Sequence, residues 1–267
     1  MVPAKPQPVR TPSAWIAVAL AALGLCACSA KPPAASGASE AASPEASYVV
    51  PPRLDAVSAS PAGVALSGQA AAGASVRLAS PTGEAVLATA DPRGRWSILL
   101  PPAAEPRVFG LSTTAQGRQT QAEGYVLVTP SGQAALLRAG TGALRIDRPT
   151  RPGLQAVDFD GGGGVEVSAT VAPGATVILR LDGREVAEGR ADPNGHYVAS
   201  LGSQTPIRPG AHQVQVSGDG FTDRVTAQLS PAAPLAQGPA RSQLTPAGLR
   251  VDWMTPGGGV QSTLLVH

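Results

Sequence analysis

Residues 73–96 read "GASVRLASPTGEAVLATADPRGRW", and residues 174–197 return the same design as "GATVILRLDGREVAEGRADPNGHY". In the second passage Val177, Leu179 and Leu181 alternate with Thr176, Ile178 and Arg180. That is the two-residue period of a half-buried strand. The first passage repeats it, with Val76 and Leu78 inward and Arg77 outward. Trp96, Ile98 and Leu100 then share one face, as do Tyr197, Ala199 and Leu201. Turn signals separate the runs: "PTGE" from Pro81, "LDGR" from Leu181, "DPRG" from Asp91 and "DPNG" from Asp192. In Asp-Pro-x-Gly, Pro presets φ at the second position, Gly relieves the last, and the Asp side chain accepts a backbone N–H.

The likeness extends upstream. "LDAVSASPAGVALSG" from Leu54 lines up with "LQAVDFDGGGGVEVSA" from Leu154, an offset of 100 residues, and Gly73 with Gly174 and Ala90 with Ala191 give 101. Such constancy marks a duplicated unit. Short strands with turn signals about every 8–12 residues predict an all-β chain of two tandem Greek-key β-sandwiches. Composition agrees. Aromatics are 3%, charged residues 14%, and the chain holds 31 Gly and 27 Pro, which suits short strands and disfavours long helices.

The motifs "PGATV", "DG" and "ADPNGHY", with "ADPRGRW" in the first copy, resemble bacterial immunoglobulin-like domains. "RPGAHQVQVSGDGF" from Arg208 is similar to the carboxypeptidase-regulatory-like family of transthyretin-like sandwiches. The resemblance covers residues 54–115 and 154–229 and leaves the stretch between them unexplained. Either family implies a sandwich; its motifs are turns and core positions and carry no activity. The tail, "LRVDWMTPGGGVQSTLLV" from Leu249, reads as another opening hairpin. "VDW" echoes "VDF" at 157–159, and "LRVD" equally echoes "LRID" at 144–147. Leu249, Val251 and Trp253 share a face. An isolated hairpin is marginal in water, so this one is expected to dock on an earlier domain and bury Trp253.

At the other end Lys5 and Arg10 precede the apolar run "SAWIAVALAALGLCA" and a small-residue region, the layout of an export signal. From Ala14 to Ala27 the run has about 14 residues, short of the roughly 20 that span a bilayer. Both cysteines of the chain, Cys26 and Cys28, lie in "LCAC". A metal site needs three or four ligands, and the histidines, His196, His212 and His267, are far away in sequence. A redox pair normally holds two residues between its cysteines. "LCAC" resembles the lipobox of bacterial lipoproteins, with Cys26 in a slot usually held by Ser, Ala or Thr. The resemblance implies cleavage before Cys28 and covalent lipid on Cys28. Ser29, where an Asp would mark inner-membrane retention in enteric bacteria, implies an outer-membrane lipoprotein of a Gram-negative cell. Residues 29–47, "SAKPPAASGASEAASPEAS", have almost nothing to bury and should stay disordered.

The expected layout is a lipoprotein signal peptide at 1–27 and lipidated Cys28 with a disordered Ala/Ser/Pro linker at 28–52. A first sandwich follows at 53–150, a second at 151–236, and a docked hairpin at 237–267. Basic residues number 20 and acidic residues 18, and removing Lys5 and Arg10 leaves 18 of each. A neutral chain has no electrostatic footprint for nucleic acid.

Catalytic signatures are lacking: the sequence holds no G-x-S-x-G elbow and no His-x-x-x-His pair. A Ser–His–Asp triad assembled in space would be needed for hydrolysis. Gly161–Gly164 leads into a strand and reads as a turn rather than a phosphate loop. Asp158 and Asp160 are weak calcium candidates, two carboxylates where six to eight oxygens are needed, and the first copy has Ser58 and Ser60 there. Asp91 and Asp192 are turn formers, and Trp96 and Tyr197 are core residues rather than a binding platform. The expectation is a non-catalytic envelope lipoprotein, a spacer or protein-interaction module facing the periplasm or the exterior. It has no cofactor beyond lipid, and its partners are the membrane and an envelope protein or glycan. The alternatives are a glycan- or peptidoglycan-binding module and a hydrolase with a cryptic site. Nothing in the sequence selects a ligand.

Overall fold

In the computed structural model, residues 49–148, 152–202 and 206–267 are described, all of them strand, turn or loop. The signal peptide, Cys28 and nearly all of the linker expected from the sequence lie outside the described residues.

The first copy contains β1 (Arg53–Ser60), β2 (Gly63–Gln69), β3 (Ser75–Ala79), β4 (Ala85–Thr89), β5 (Arg95–Leu100), β6 (Arg107–Ala115) and β7 (Arg118–Val128), followed by β8 (Ala134–Leu137) and β9 (Leu144–Arg145). The second contains β10 (Gly153–Asp160), β11 (Val165–Thr170), β12 (Thr176–Leu181), β13 (Arg184–Arg190), β14 (His196–Leu201), β15 (Gly210–Gly218) and β16 (Phe221–Leu229). The tail forms β17 (Ala240–Thr245), β18 (Gly248–Met254) and β19 (Val260–Val266). The pairings are antiparallel. In each copy the first, second and fifth strands make one sheet, and the fourth, third, sixth and seventh make the other. The chain thus crosses between sheets after its second, fourth and fifth strands, as a Greek-key sandwich does. The expected all-β tandem fold is what the chain adopts.

The two-residue periods fill the cores. Val76, Leu78, Trp96, Ile98 and Leu100 are buried in the first, and Val177, Leu179, Tyr197 and Ala199 in the second. Duplication reaches the irregularities: β1 and β10 each carry a register shift at the same place, between Leu54 and Ala56 and between Leu154 and Ala156. The Asp-Pro-x-Gly turns are built alike. Asp91 Oδ1 accepts the N–H of Arg93 at 2.8 Å and of Arg95 at 2.9 Å, and Asp192 Oδ1 takes Asn194 and His196 at the same distances. Gly94 (φ 77°) and Gly195 (φ 83°) close these turns. A Cβ on either would stand 2.4 or 2.3 Å from a carbonyl oxygen of Ala70 or Val171, so only glycine fits.

The copies differ in how their sheets are lengthened. In the first, β8 and β9 continue the sheet beyond β7; in the second, β19, β18 and β17 continue the other sheet beyond β10. The hairpin expected over 237–267 is therefore corrected to a three-stranded meander that joins the second sandwich edge to edge. Its first strand, "ARSQLT", has no apolar alternation because it is an outer edge wetted on much of its surface.

Candidate functional site

Several strands in the two lengthened sheets are buried on both faces, because the sheets pack against each other as well as over their own cores. On β8, Ala134 and Leu136 enter the first core while Ala135 and Leu137 point away from it. On β19, Leu264 and Val266 enter the second core while Leu265 points away. The outward residues meet in a third core with Leu127, Ala143, Ala156, Leu249, Val251 and Trp253. Trp253 is 1% exposed and meets Tyr125 of the first copy edge to face, ring centroids 5.9 Å apart. The joint between the copies is itself a small sandwich.

A buried polar chain runs through this joint. Trp253 Nε1 donates to Thr263 Oγ1 at 3.0 Å, and Thr263 donates in turn to Asp158 Oδ1. The N–H of Ala143, from the first copy's β8–β9 loop, donates to Asp158 Oδ2 at 2.8 Å. Burial pushes the Asp158 carboxyl up to about 6 despite these donors. Glu166, opposite it on β11, is pushed up to about 7 by burial first and then by the charges of Asp158 and Asp160.

Two arginines clip strand ends, Arg145 across the joint and Arg250 between the second copy and its own tail. In "LRID" the Arg145 guanidinium grips Asp147 bidentately, at 2.8 and 2.5 Å, and donates to the carbonyl of Val266 at 2.7 Å. In "LRVD" Arg250 donates to Asp252 at 2.8 Å and to the carbonyl of Ser230 at 2.7 Å, while Arg241 holds the other oxygen of Asp252 at 2.5 Å. Both echoes thus make an Arg–Asp pair two residues apart that clips a strand end.

The residues singled out in sequence fall as follows. Cys28 is outside the described residues. Asp158 sits in the joint, while Asp160 accepts the N–H of Gly162 at 2.7 Å and of Gly164 at 2.9 Å, folding the glycine run into the β10–β11 turn. The two carboxylates face different donors, and among the described residues no three His, Cys, Asp or Glu side chains are grouped to hold a metal ion. His212 Nδ1 lies 2.7 Å from Asp182 and its Nε2 lies 2.8 Å from the carbonyl of Arg208. Burial works to lower its pKa, but the acceptors on both nitrogens outweigh that and raise it, and both nitrogens are engaged by partners other than a serine. His196 lies 3.6 Å from Asp192, within its own turn. Trp96 and Tyr197 are buried in the cores, and among the described residues no Trp, Tyr or Phe ring stands exposed as a stacking platform. Nor is any helix among the described residues long and apolar enough to cross a membrane.

Sequence reasoning missed the open end of the joint. β17 pairs with β18 and, among the described residues, has no strand on its other side. Along it run two cavities of about 590 and 450 Å³, bordered across the gap by Glu105 and Pro106 of the β5–β6 loop.

No family model matches the chain, and no curated protein does. Among solved structures, the BSP domain of a biofilm-associated protein is 16% identical, covering 69% of this chain and 30% of its own, with a TM-score of 0.24. The central fibronectin-III array of RIM-binding protein is 12% identical, covering 77% and 72%, with a TM-score of 0.24. A tetra-tandem repeat from the extending region of a large adhesion protein is 16% identical, covering 80% and 61%, with a TM-score of 0.22. This chain spans less than a third of the first of these and under two thirds of the last. At such superposition the chain's own strand pairing, and not the likeness, defines its fold: tandem β-sandwiches fused through a shared joint.

Proposed function

We propose that this chain is a non-catalytic cell-envelope lipoprotein, a spacer and interaction module held on the outer membrane by lipid on Cys28. The observation that carries the spacer role is the third core. Domains in one chain move relative to each other by default unless their interface is large and hydrophobic. Here an apolar core with Trp253 at its centre and a buried polar chain join the two sandwiches. Such a body transmits position rather than bending. The anchor is supported by "LCAC" and the Ala/Ser/Pro tether behind it; several acyl chains hold a protein firmly, where one alone binds marginally.

The test is the intact mass of the protein from isolated membranes beside a Cys28→Ser variant. A mature chain starting at Cys28 with added lipid mass, lost in the variant, is expected. An unlipidated chain, or one keeping residues 1–27, overturns the anchor.

A further inference from the structure

We propose that the outer edge of β4 pairs with the same edge of a second copy of this chain, antiparallel and centred on Leu87, to make a two-fold dimer with one sheet running through both copies. The pairing goes beyond the anchor and spacer reading and depends on neither.

The duplication supplies the control. Residues 73–96 and 174–197 align without a gap, so β4 and β13 hold the same place in their units, and Leu87 and Thr89 correspond to Glu188 and Arg190. β13 is a guarded edge: it carries charges of both signs, and its pairing with β12 shifts register. β4, "AVLAT", has no charge, no titratable group and no proline. Its pairing with β3 is unbroken from Ala85 opposite Ala79 to Thr89 opposite Ser75. Every other outer strand among the described residues holds a charged or titratable side chain: Arg53 on β1, Arg95 on β5, Arg145 on β9, His196 on β14, Arg224 on β16 and Arg241 on β17. Charges and bulges are the devices by which edges avoid recruiting strands. β4 has neither, and its Leu87 is 66% exposed.

The backbone sets the register. Before β4 the Ser80 N–H donates to the Glu84 carbonyl at 2.8 Å, and after it the Ala90 N–H donates to the Ala74 carbonyl at 3.0 Å. Glu84 and Ala90 therefore turn their main-chain groups toward β3, and by antiparallel alternation so do Val86 and Ala88. Those of Ala85, Leu87 and Thr89 point outward, where no hydrogen bond meets them among the described residues. A second β4 laid antiparallel, with Leu87 facing its own counterpart, satisfies them all. Leu87 exchanges two bonds with its counterpart, and Ala85 and Thr89 each exchange two with the other. Such a contact is self-complementary, as a two-fold interface must be.

Charge fits the same register. The start of β4 bears Glu84, while Glu105 and Arg107 beside it offset each other. Its end leads into Asp91, which is paired with Arg95, and leaves Arg93 over. Antiparallel pairing sets each start beside the other copy's end, acidic against basic. Arg77, opposite Leu87 on β3, lies three strand spacings from its counterpart, about 14 Å and beyond the screening length of physiological salt. An edge that complements itself in hydrogen bonds and in charge selects a second copy as its occupant.

The test is the association state of the full chain purified in detergent, read by sedimentation over a range of concentrations with amide exchange alongside. A reversible dimer with a dissociation constant on the order of 100 μM is expected, since two short edges bury less than a stable interface does. Exchange at Ala85, Leu87 and Thr89 should slow as the dimer forms. Leu87→Glu, which copies the second unit, sets like charges face to face and should weaken the dimer about tenfold. Leu87→Lys should do the same. An equal mixture of the two variants should dimerise again, which also shows that both are folded. Leu99→Glu, on β5, should change nothing. A chain still monomeric at about 1 mM overturns the proposal. So does a dimer that survives Leu87→Glu or is lost with Leu99→Glu, a mixture that does not recover, or protection at residues 85–89 that ignores concentration.

Discussion

β1 and β10 are the same strand in two copies of one unit, down to a shared bulge, but their surroundings are opposite. β1 has β2 on one side and, among the described residues, no strand on the other, and Ser58 stands in solvent. β10 lies between β11 and β19, and Asp158, in the place of Ser58, is fully buried. Val157 and Phe159 are buried where Val57 is half-buried and Ala59 exposed. A repeat can therefore keep its fold while one edge strand changes from surface to interior. The change depends on whatever docks beside it, and here that is a strand more than a hundred residues away.

The sharpest way to break this contrast is at Trp253. Trp253→Ala should cost about 3–5 kcal/mol, the range for a buried tryptophan, and split denaturant unfolding into separate transitions for the two copies. An unchanged midpoint, read by circular dichroism, would mean that β19 alone keeps β10 covered. Next in size is Asp147→Ala. It leaves the Arg145 guanidinium, whose side chain is fully buried, without its partner and should cost about 3 kcal/mol. Chemical denaturation checks it, and a loss under 1 kcal/mol would show that the Val266 carbonyl suffices.

The joint should also make stability depend on pH. Asp158 is raised from 3.8 to about 6, so between those values the folded chain holds a proton that the unfolded chain has lost. Its contribution is complete below pH 4 and falls as pH rises through 6, by up to about 3 kcal/mol at 1.36 per unit. Glu166 extends the fall toward 7, with a share reduced by solvent. His212, raised above 6.5, adds a fall only above that value, and the lowered Asp91, Asp182, Asp192 and Asp252 act only below 3.8. The window from pH 4 to 6 is thus carried by Asp158 with a smaller share from Glu166, whose ordinary value is 4.5 and whose rise depends in part on the Asp158 charge. Asp158→Asn should reduce the slope there in urea titrations, whereas an unaltered slope would place the effect elsewhere.

Exchanging the paired residues gives the smallest effects and the clearest contrast. Asp158→Ser removes the acceptor of the Ala143 N–H and should cost about 1–3 kcal/mol. Ser58→Asp, on the open edge, should stay within about 0.5 kcal/mol. Equal costs in thermal melts would dissolve the distinction between the two strands.

What could be read from the sequence was whatever repeats or alternates locally. Trp96, Ile98 and Leu100 announced their face, and Asp91 and Asp192 their turns. Beyond the expected docking of the tail through Trp253, the joint was not legible, because its other residues come from separate stretches around Tyr125, Leu137 and Ala156. β8, "AALL", is buried at all four positions, and a doubly covered strand reads as an apolar run that does not say what covers it. Asp158 was visible as a carboxylate, but its donors lie 15 and 105 residues away. The "LRID" and "LRVD" echo was visible too. Its purpose emerges only where Val266 and Ser230 arrive beside the two arginines.

The pairing of β10 with β19 also sets a timetable. Strands β1 to β9 find their partners among themselves, so the first copy can close while the rest of the chain is still being made. β10 emerges with one side bare and waits for a partner 105 residues downstream, a long loop to close and a slow one. A product that stops short of Val260 leaves β10 as a long bare edge beside an uncovered apolar face, a template for sticking to other chains. Synthesis as far as β19 is thus written into the second sandwich, which becomes inert only when that strand arrives.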